Sequence, residues 1–371
     1  MVIQVRSKMS EVRCQKSDVR SQLCPLFSVL CSLLFVLLSS CAGPLGGDPV
    51  VEARKAILSA DAAMGDWQGS WKLEDESDSG QLVAQVIALG KGEYRANLLE
   101  EFDTREEPVA VLEGRRDGAA VRFAGPGQAG YTEFQVQAVI RDGKFSGSFE
   151  GDAAGSFAME RAIRISPTLG EKPPKGAIIL FNGKDFKEWK HTNKKEDEDE
   201  VKWELVDGAM RVKPGTGSII TRKQFTDVRL HIEFRTPFMP EARGQGRGNS
   251  GVYLQGRYEV QVLDSYGLEG KDNECGGIYK IGAPIVNMCA PPTQWQTYDI
   301  TFLAPRFDGA GNRVSEPTLT VVHNGVNVHE KTEARGPTTA SLGGKATEPA
   351  GIYLQDHGNP VQYRNIWLVE L

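Results

Sequence analysis

The sequence predicts an all-β protein built from two successive β domains, and three observations carry that reading. Apolar and polar residues alternate with a period of two in one short run after another, turn signals rich in Gly, Asn and Asp separate the runs, and helical spacing is scarce. In the second half, Trp203, Trp295 and Trp367 stand beside β-branched runs, which fits two antiparallel sheets packed face to face.

Residues 1–40 read as an export signal. Arg6, Lys8, Arg13, Lys16 and Arg20 precede an apolar run from Leu23 to Leu38 that is short for a spanning helix. Leu38-Ser39-Ser40-Cys41 then resembles the bacterial lipoprotein box. This predicts an exported protein, periplasmic or at the cell surface, tethered to a bacterial membrane through lipid on Cys41. An uncleaved anchor or a plain secretory signal is the alternative, and the polar lead leaves a start at Met9 open. Residues 41–64 read as a lipidated terminus and linker with a short helix over Val51 to Ala62.

Residues 65–166 predict a small barrel or sandwich of about seven or eight strands. Asp117-Gly118 and Asp142-Gly143 supply hairpin turns, and no chemistry attaches to this part. Pro167, Pro173 and Pro174 mark 167–175 as a stiff linker, because proline cannot feed a central strand. The second domain covers 176–371. Its Asn324-Gly325 is the strongest two-residue hairpin signal in the chain.

A net charge of -6 argues against nucleic acid, since phosphate recognition needs a basic surface. The run Glu196 to Glu200 reads as a solvated loop, because adjacent like charges cannot all point at one ion. Outside the signal only Cys275 and Cys289 remain, and an even pair in an exported chain predicts a disulfide, worth roughly 3 kcal/mol for so short a loop. Two free thiols are the alternative. No clustered Cys/His spacing suggests zinc.

The residues that point to function lie between 228 and 264. In Val228 to Arg235 the apolar face holds Val228, Leu230, Ile232 and Phe234, and the polar face holds Arg229, His231, Glu233 and Arg235. In the next strand, Tyr258, Val260 and Val262 oppose Glu259 and Gln261. Each strand thus offers a carboxylate from a polar face that reads as a wet groove. A plain sheet with one solvated side gives the same alternation.

The order of pieces in this half resembles the 3-keto-disaccharide hydrolase domain family over roughly 176–371. The pieces are Leu180-Phe181-Asn182-Gly183-Lys184-Asp185-Phe186 to Trp189, Trp203 to Gly208, Val228 to Arg235, Gly248 to Asp264, Trp295 to Ile300, Val322 to Val326, and Gly351 to Gly358 before Tyr363-Arg364-Asn365-Ile366. That resemblance implies a concanavalin-like jelly roll and a hydrolase, or lyase and hydratase, that cleaves 3-keto glycosides or disaccharides. Ordinary two-carboxylate hydrolysis fits less well, because an amide, Gln261, stands between Glu259 and Asp264 and these two differ in strand parity. A 3-ketone acidifies the neighbouring C2 hydrogen, so a base, an acid and a partner for the enolate suffice.

On that implication Glu259 or Asp264 is the base, Glu233 the acid or orienter, and Arg235, Arg257, His357 or a bound cation steadies the enolate. Asn249, Gln255, Gln261 and Gln355 would hold sugar hydroxyls, since amides donate and accept. Tyr253, Tyr266 and Tyr279 are candidate stacking platforms. No cofactor is assigned; calcium or another divalent cation stays open, because such sites leave no local signature in this kind of fold. Glu233 with an arginine also fits a surface ion pair, His357 fits a turn residue, and the other histidines get no role. Alternatives are a non-catalytic, lectin-like cell-surface module or a scaffold that uses the groove for a peptide.

Overall fold

The computed structural model describes residues 48–192 and 200–371, so the export signal, Cys41 and most of the acidic run lie outside the described residues. A helix, Pro49–Ala60, comes first: Asp48 caps it by accepting from the Val50 amide at 2.9 Å, and proline occupies its first turn. Its buried Ala53 and Ile57 face the domain that follows, with Ile57 in the barrel's apolar cluster. The short helix was therefore legible in the sequence, but it packs rather than merely spacing the chain.

Eight strands, from Gly65–Leu73 to Gly155–Arg161, pair each with the next and close last on first into a barrel. Closure leaves no unpaired edge. The alternate residues pointing inward fill the interior, where Phe145 packs against Trp67, Phe123 and Phe157 at centroid separations of 5.8, 5.3 and 5.6 Å. Asp142 (φ 50°) and Gly143 (φ 75°) form the predicted tight turn between two of these strands.

The remainder is a two-sheet sandwich. The five-stranded sheet runs in the order Trp189–His191, Ile219–Thr221, Tyr353–Leu354, Ser250–Leu254, Tyr258–Val262. The eight-stranded sheet has Val228–Arg235 between Gln362–Glu370 and Gln296–Leu303. Asn324 (φ 50°) and Gly325 (φ 84°) make the expected hairpin from Thr318–His323 to Val326–Glu333. Leu230, Ile232 and Phe234 from one sheet and Val252, Leu254, Tyr258, Val260 and Val262 from the other form one core.

That core decides where the polar residues go. Because inward residues of both strands meet in it, Glu233 and Glu259 point out of the two sheets in opposite directions, across a spacing of roughly 10 Å between sheets plus the side chains. They do not share a groove.

The polar face at Glu233 is not wet either. The proline-containing linker lies along it: the Gly170 amide donates to Glu233 Oε1 at 2.6 Å, and the Thr168 hydroxyl donates to Asp299 Oδ2 at 2.8 Å. Beneath the linker His231, stacked on Trp367, meets Asp299 at 2.7 Å, while Glu233 accepts from Arg364 Nε at 2.6 Å and Asn365 Nδ2 at 2.8 Å. Burial alone would lower the His231 pKa, but the bond to Asp299 and the nearby Glu233 carry it up to about 9. Glu233 stays ionised below its ordinary range despite burial, because His231, Arg364 and Asn365 all favour the anion.

Barrel and sandwich belong to one compact unit. Tyr266 in the sandwich donates to Asp66 of the barrel at 2.6 Å, and Arg243 and Arg247 reach the Leu89 and Ala88 carbonyls.

The linker network yields a stability prediction. Since folding raises the His231 pKa from 6.5 to about 9, its contribution is present in full below pH 6.5 and is lost as pH rises through 9. Thermal unfolding at pH 6 and pH 9 should show a smaller loss for His231→Gln than for wild type. Glu233→Ala should cost about 3–5 kcal/mol by stranding its buried partners. An equal pH dependence in both proteins would contradict this.

Candidate active site

The Ser250–Leu254 and Tyr258–Val262 strands carry the site on their outward face. Their antiparallel register sets Tyr253 opposite Glu259, and Tyr353 lies opposite Tyr253 on the next strand. On the far side, the Tyr279 amide donates to the Glu259 carbonyl at 3.1 Å, and an isolated bridge pairs Val260 with Ile278. One row across the sheet therefore reads Tyr353, Tyr253, Glu259, Tyr279, all on one face. Tyr253 and Tyr353 meet edge to face at 4.6 Å.

Glu259 is 3% exposed and forms no ion pair among the described residues. Burial pushes its carboxyl from 4.5 up to about 8, opposed by the Tyr253 hydroxyl. The facing carboxyl in turn adds to burial in raising the Tyr253 phenol well above its usual range. Tyr253 also donates to the Thr339 carbonyl at 3.3 Å and accepts from Gln355 Nε2 at 3.2 Å.

The next row is made of amides. With its nitrogen toward Glu259, the Gln261 side chain lies 2.8 Å from Oε1 and 3.0 Å from the Ser250 carbonyl. Beside it, Gln245 donates to the Asn273 carbonyl at 2.7 Å and accepts from Asn249 Nδ2 at 3.1 Å. Gly251 makes room for this arrangement, because a Cβ there would stand 2.4 Å from Glu259 Oε1 and 2.7 Å from the Tyr253 ring.

Of the expected site residues, the structure gathers Glu259, Tyr253, Gln261, Asn249 and Gln355 here. His357 is exposed two residues after Gln355, past the end of the Tyr353–Leu354 strand. The others go elsewhere. Glu233 belongs to the linker network, and Arg235 donates to Gln362 Oε1 at 2.8 Å on that same sheet and lies over Trp295.

Asp264, five residues beyond Glu259 and roughly 16 Å away if the strand continued, is a buried partner of Arg247 at 2.6 Å. Burial raises its pKa, opposed by that arginine. Arg257 spends its guanidinium on the carbonyls of Gly343, Lys345 and Glu348 and on Gln255 Oε1, so both it and Gln255 hold the 338–348 loop. Tyr266 is buried at the barrel junction.

The expected disulfide is not formed. Cys275 and Cys289 are buried free thiols, with Cys275 Sγ 3.2 Å from the Tyr298 hydroxyl and Cys289 donating to the Leu263 carbonyl at 3.4 Å. A grouping of potential metal ligands, Glu171, His231 and Asp299, lies in the linker network, where a protonated imidazole disfavours a cation.

Three site residues escaped the sequence reading: Tyr353, Gln245 and Gly251. A signal for two of them was present. Gly251-Val252-Tyr253-Leu254-Gln255 and Gly351-Ile352-Tyr353-Leu354-Gln355 are nearly the same pentapeptide on paired strands, so a repeated pattern marks the row.

Residues 176–369 match the 3-keto-alpha-glucoside-1,2-lyase-like domain family. The chain belongs to this family. Membership makes it a carbohydrate-active protein of glycosidase-like function, with the Glu259 row inside the matched region.

Among solved structures, a Parabacteroides distasonis ATCC 8503 protein provisionally assigned as a glycosyl hydrolase is 36% identical, over 53% of this chain and 85% of that one, with a TM-score of 0.48. A second from the same organism is 20% identical over 53% and 94%, with a TM-score of 0.39. The GH43 BlXynB protein from Bacillus licheniformis is 8% identical over 80% of each chain, with a TM-score of 0.32. Comparison with curated proteins returned no match.

The packing at Gly251 tests the geometry of the row. Gly251→Ala should push the Glu259 carboxylate aside and lower turnover by about 100-fold, the usual consequence of an ångström-scale misplacement. Unchanged turnover in a folded variant would show that the Glu259 position does not matter.

Proposed function

We propose that this protein cleaves the glycosidic bond of 3-keto glycosides on the Glu259 face of the five-stranded sheet, by elimination across C1 and C2 followed by addition of water. The observation that carries this reading is a carboxyl buried between tyrosines with no cation beside it, which keeps its proton at neutral pH. A group in that state is an acid ready for a departing oxygen.

In the first step a base takes the C2 proton, made acidic by the ketone. The electron pair becomes the C1–C2 double bond, the C1–O bond breaks, and Glu259 protonates the leaving oxygen. In the second step the Glu259 carboxylate takes a proton from water as it adds to C1, and C2 is reprotonated. The sum is a free 3-keto sugar plus an alcohol. His357, exposed two residues beyond Gln355, is the residue we assign to the C2 proton. Asn249, Gln245 and Gln355 supply amides for hydroxyls, and the partly exposed Tyr279 offers a ring face for the sugar. Export and lipid attachment at Cys41, expected from the sequence, join the proposal as the setting in which the substrate is met.

Because Glu259 acts first as an acid, kcat/KM on a 3-keto glucoside should fall as pH rises through about 8, where the proton is lost. Glu259→Gln, close in shape, should lower kcat by about 100- to 10,000-fold without loss of thermal stability. Alcohol release at the wild-type rate by that variant would exclude the assignment. Sugar binding with no release from any 3-keto or ordinary glycoside would leave the lectin-like alternative.

A further inference from the structure

A cavity not used by this chemistry lies where the barrel meets the sandwich, and its volume is about 370 Å³. That is within the range of small-ligand sites, roughly 300–1,000 Å³. We propose that it is a second carbohydrate-binding site, for one or two neutral sugar rings.

Its barrel wall is a row in register on the outer face of three adjacent strands. Gln85 pairs with Asn97, and Asn97 pairs with Val111. The opposite wall is the Gly267-Leu268 turn of the sandwich, fixed by two donors to one carbonyl: Asn97 Nδ2 at 2.8 Å and Arg95 Nη2 at 3.2 Å, both on Gly267 O. Arg105 braces the next part of that loop through the Gly270 carbonyl at 2.7 Å. The walls are therefore held apart by hydrogen bonds made before any ligand arrives, which lowers the ordering cost of binding.

What faces the space is not what a sealed interface presents. Val111 and Leu268 remain 45% and 39% exposed, and the Gln85 amide makes no hydrogen bond among the described residues. Apolar carbons beside an unspent amide suit a ring with C–H faces and hydroxyl edges. The lining carries six acidic side chains, Glu101, Asp103, Glu106, Glu107, Glu269 and Glu274, against three cations, Arg95, Arg105 and Lys271. That balance disfavours phosphate, sulfate or uronate, while carboxylates accept readily from sugar hydroxyls.

No residue of the Tyr253–Glu259 row lines the cavity, so its occupancy is separable from turnover. The same loop nevertheless borders both, with Leu268 in the cavity wall and Tyr279 beside Glu259.

Calorimetric titration of the full chain with maltohexaose and with cellohexaose tests the site. At least one should bind to the Glu259→Gln variant as to wild type. Gln85→Ala, and separately Val111→Trp, which fills the cavity from a partly exposed position, should each weaken binding about tenfold while leaving turnover of a small 3-keto glucoside unchanged. The proposal is overturned if neither oligosaccharide binds, if both cavity variants bind as wild type does, or if Tyr279→Ala alone abolishes binding. Strong weakening by salt with competition by spermine would also overturn it, in favour of a cationic ligand.

Discussion

The proposed chemistry depends on one carboxyl, that of Glu259, buried on a sheet face without a cation to keep it charged. Desolvation of an unpaired carboxylate is costly, so the group holds its proton instead. The neighbours follow from that state. Gly251 gives the carboxyl space, Tyr253 shares a hydrogen bond with it, and the Gln261 amide faces it. An arginine in place of any of these would ionise Glu259 and remove the acid. The contrast with Glu233 is instructive: equally buried, it meets Arg364, Asn365, His231 and a backbone amide, and stays an anion that holds a linker in place.

The arginines, meanwhile, serve as framework. Arg247 ties Asp264 to the barrel backbone, Arg257 gathers the 338–348 loop, and Arg364 anchors Glu233. All three act on carbonyls or carboxylates of the protein itself. The result is a sandwich whose outer loops are pinned at several points, with the barrel docked on the 239–247 segment that also carries Gln245 into the site. The barrel thus contributes to the shape of the candidate site's edge without supplying a side chain to the Tyr253–Glu259 row.

Much of this was legible in the sequence, and the failures share one cause. A period of two assigns each residue to a face, and the faces of both key strands were read correctly: Leu230, Ile232, Val260 and Val262 are core, and His231, Glu233, Glu259 and Gln261 are not. The period does not say which sheet of a sandwich a strand joins. Glu233 and Glu259 therefore read as one groove although the core separates them. Nor does alternation reveal what covers a polar face, which is why the linker over Glu233 and the loop at Arg257 were invisible. Asp264 found its partner Arg247 seventeen positions away, through a turn that no local pattern encodes. The Asn324-Gly325 hairpin succeeded for the opposite reason, because positive φ at two successive residues is a local demand.

The most direct test of the account is the ionisation of Glu259 itself. Carbon-13 NMR of protein labelled at the glutamate carboxyl, with Glu259→Gln to assign the signal, would follow its titration from pH 4 to 10. The account predicts a carboxyl still protonated at pH 7 that titrates near 8. A Glu259 signal that titrates at or below the ordinary value of 4.5 would contradict it, because the proposed acid would then have no proton to give.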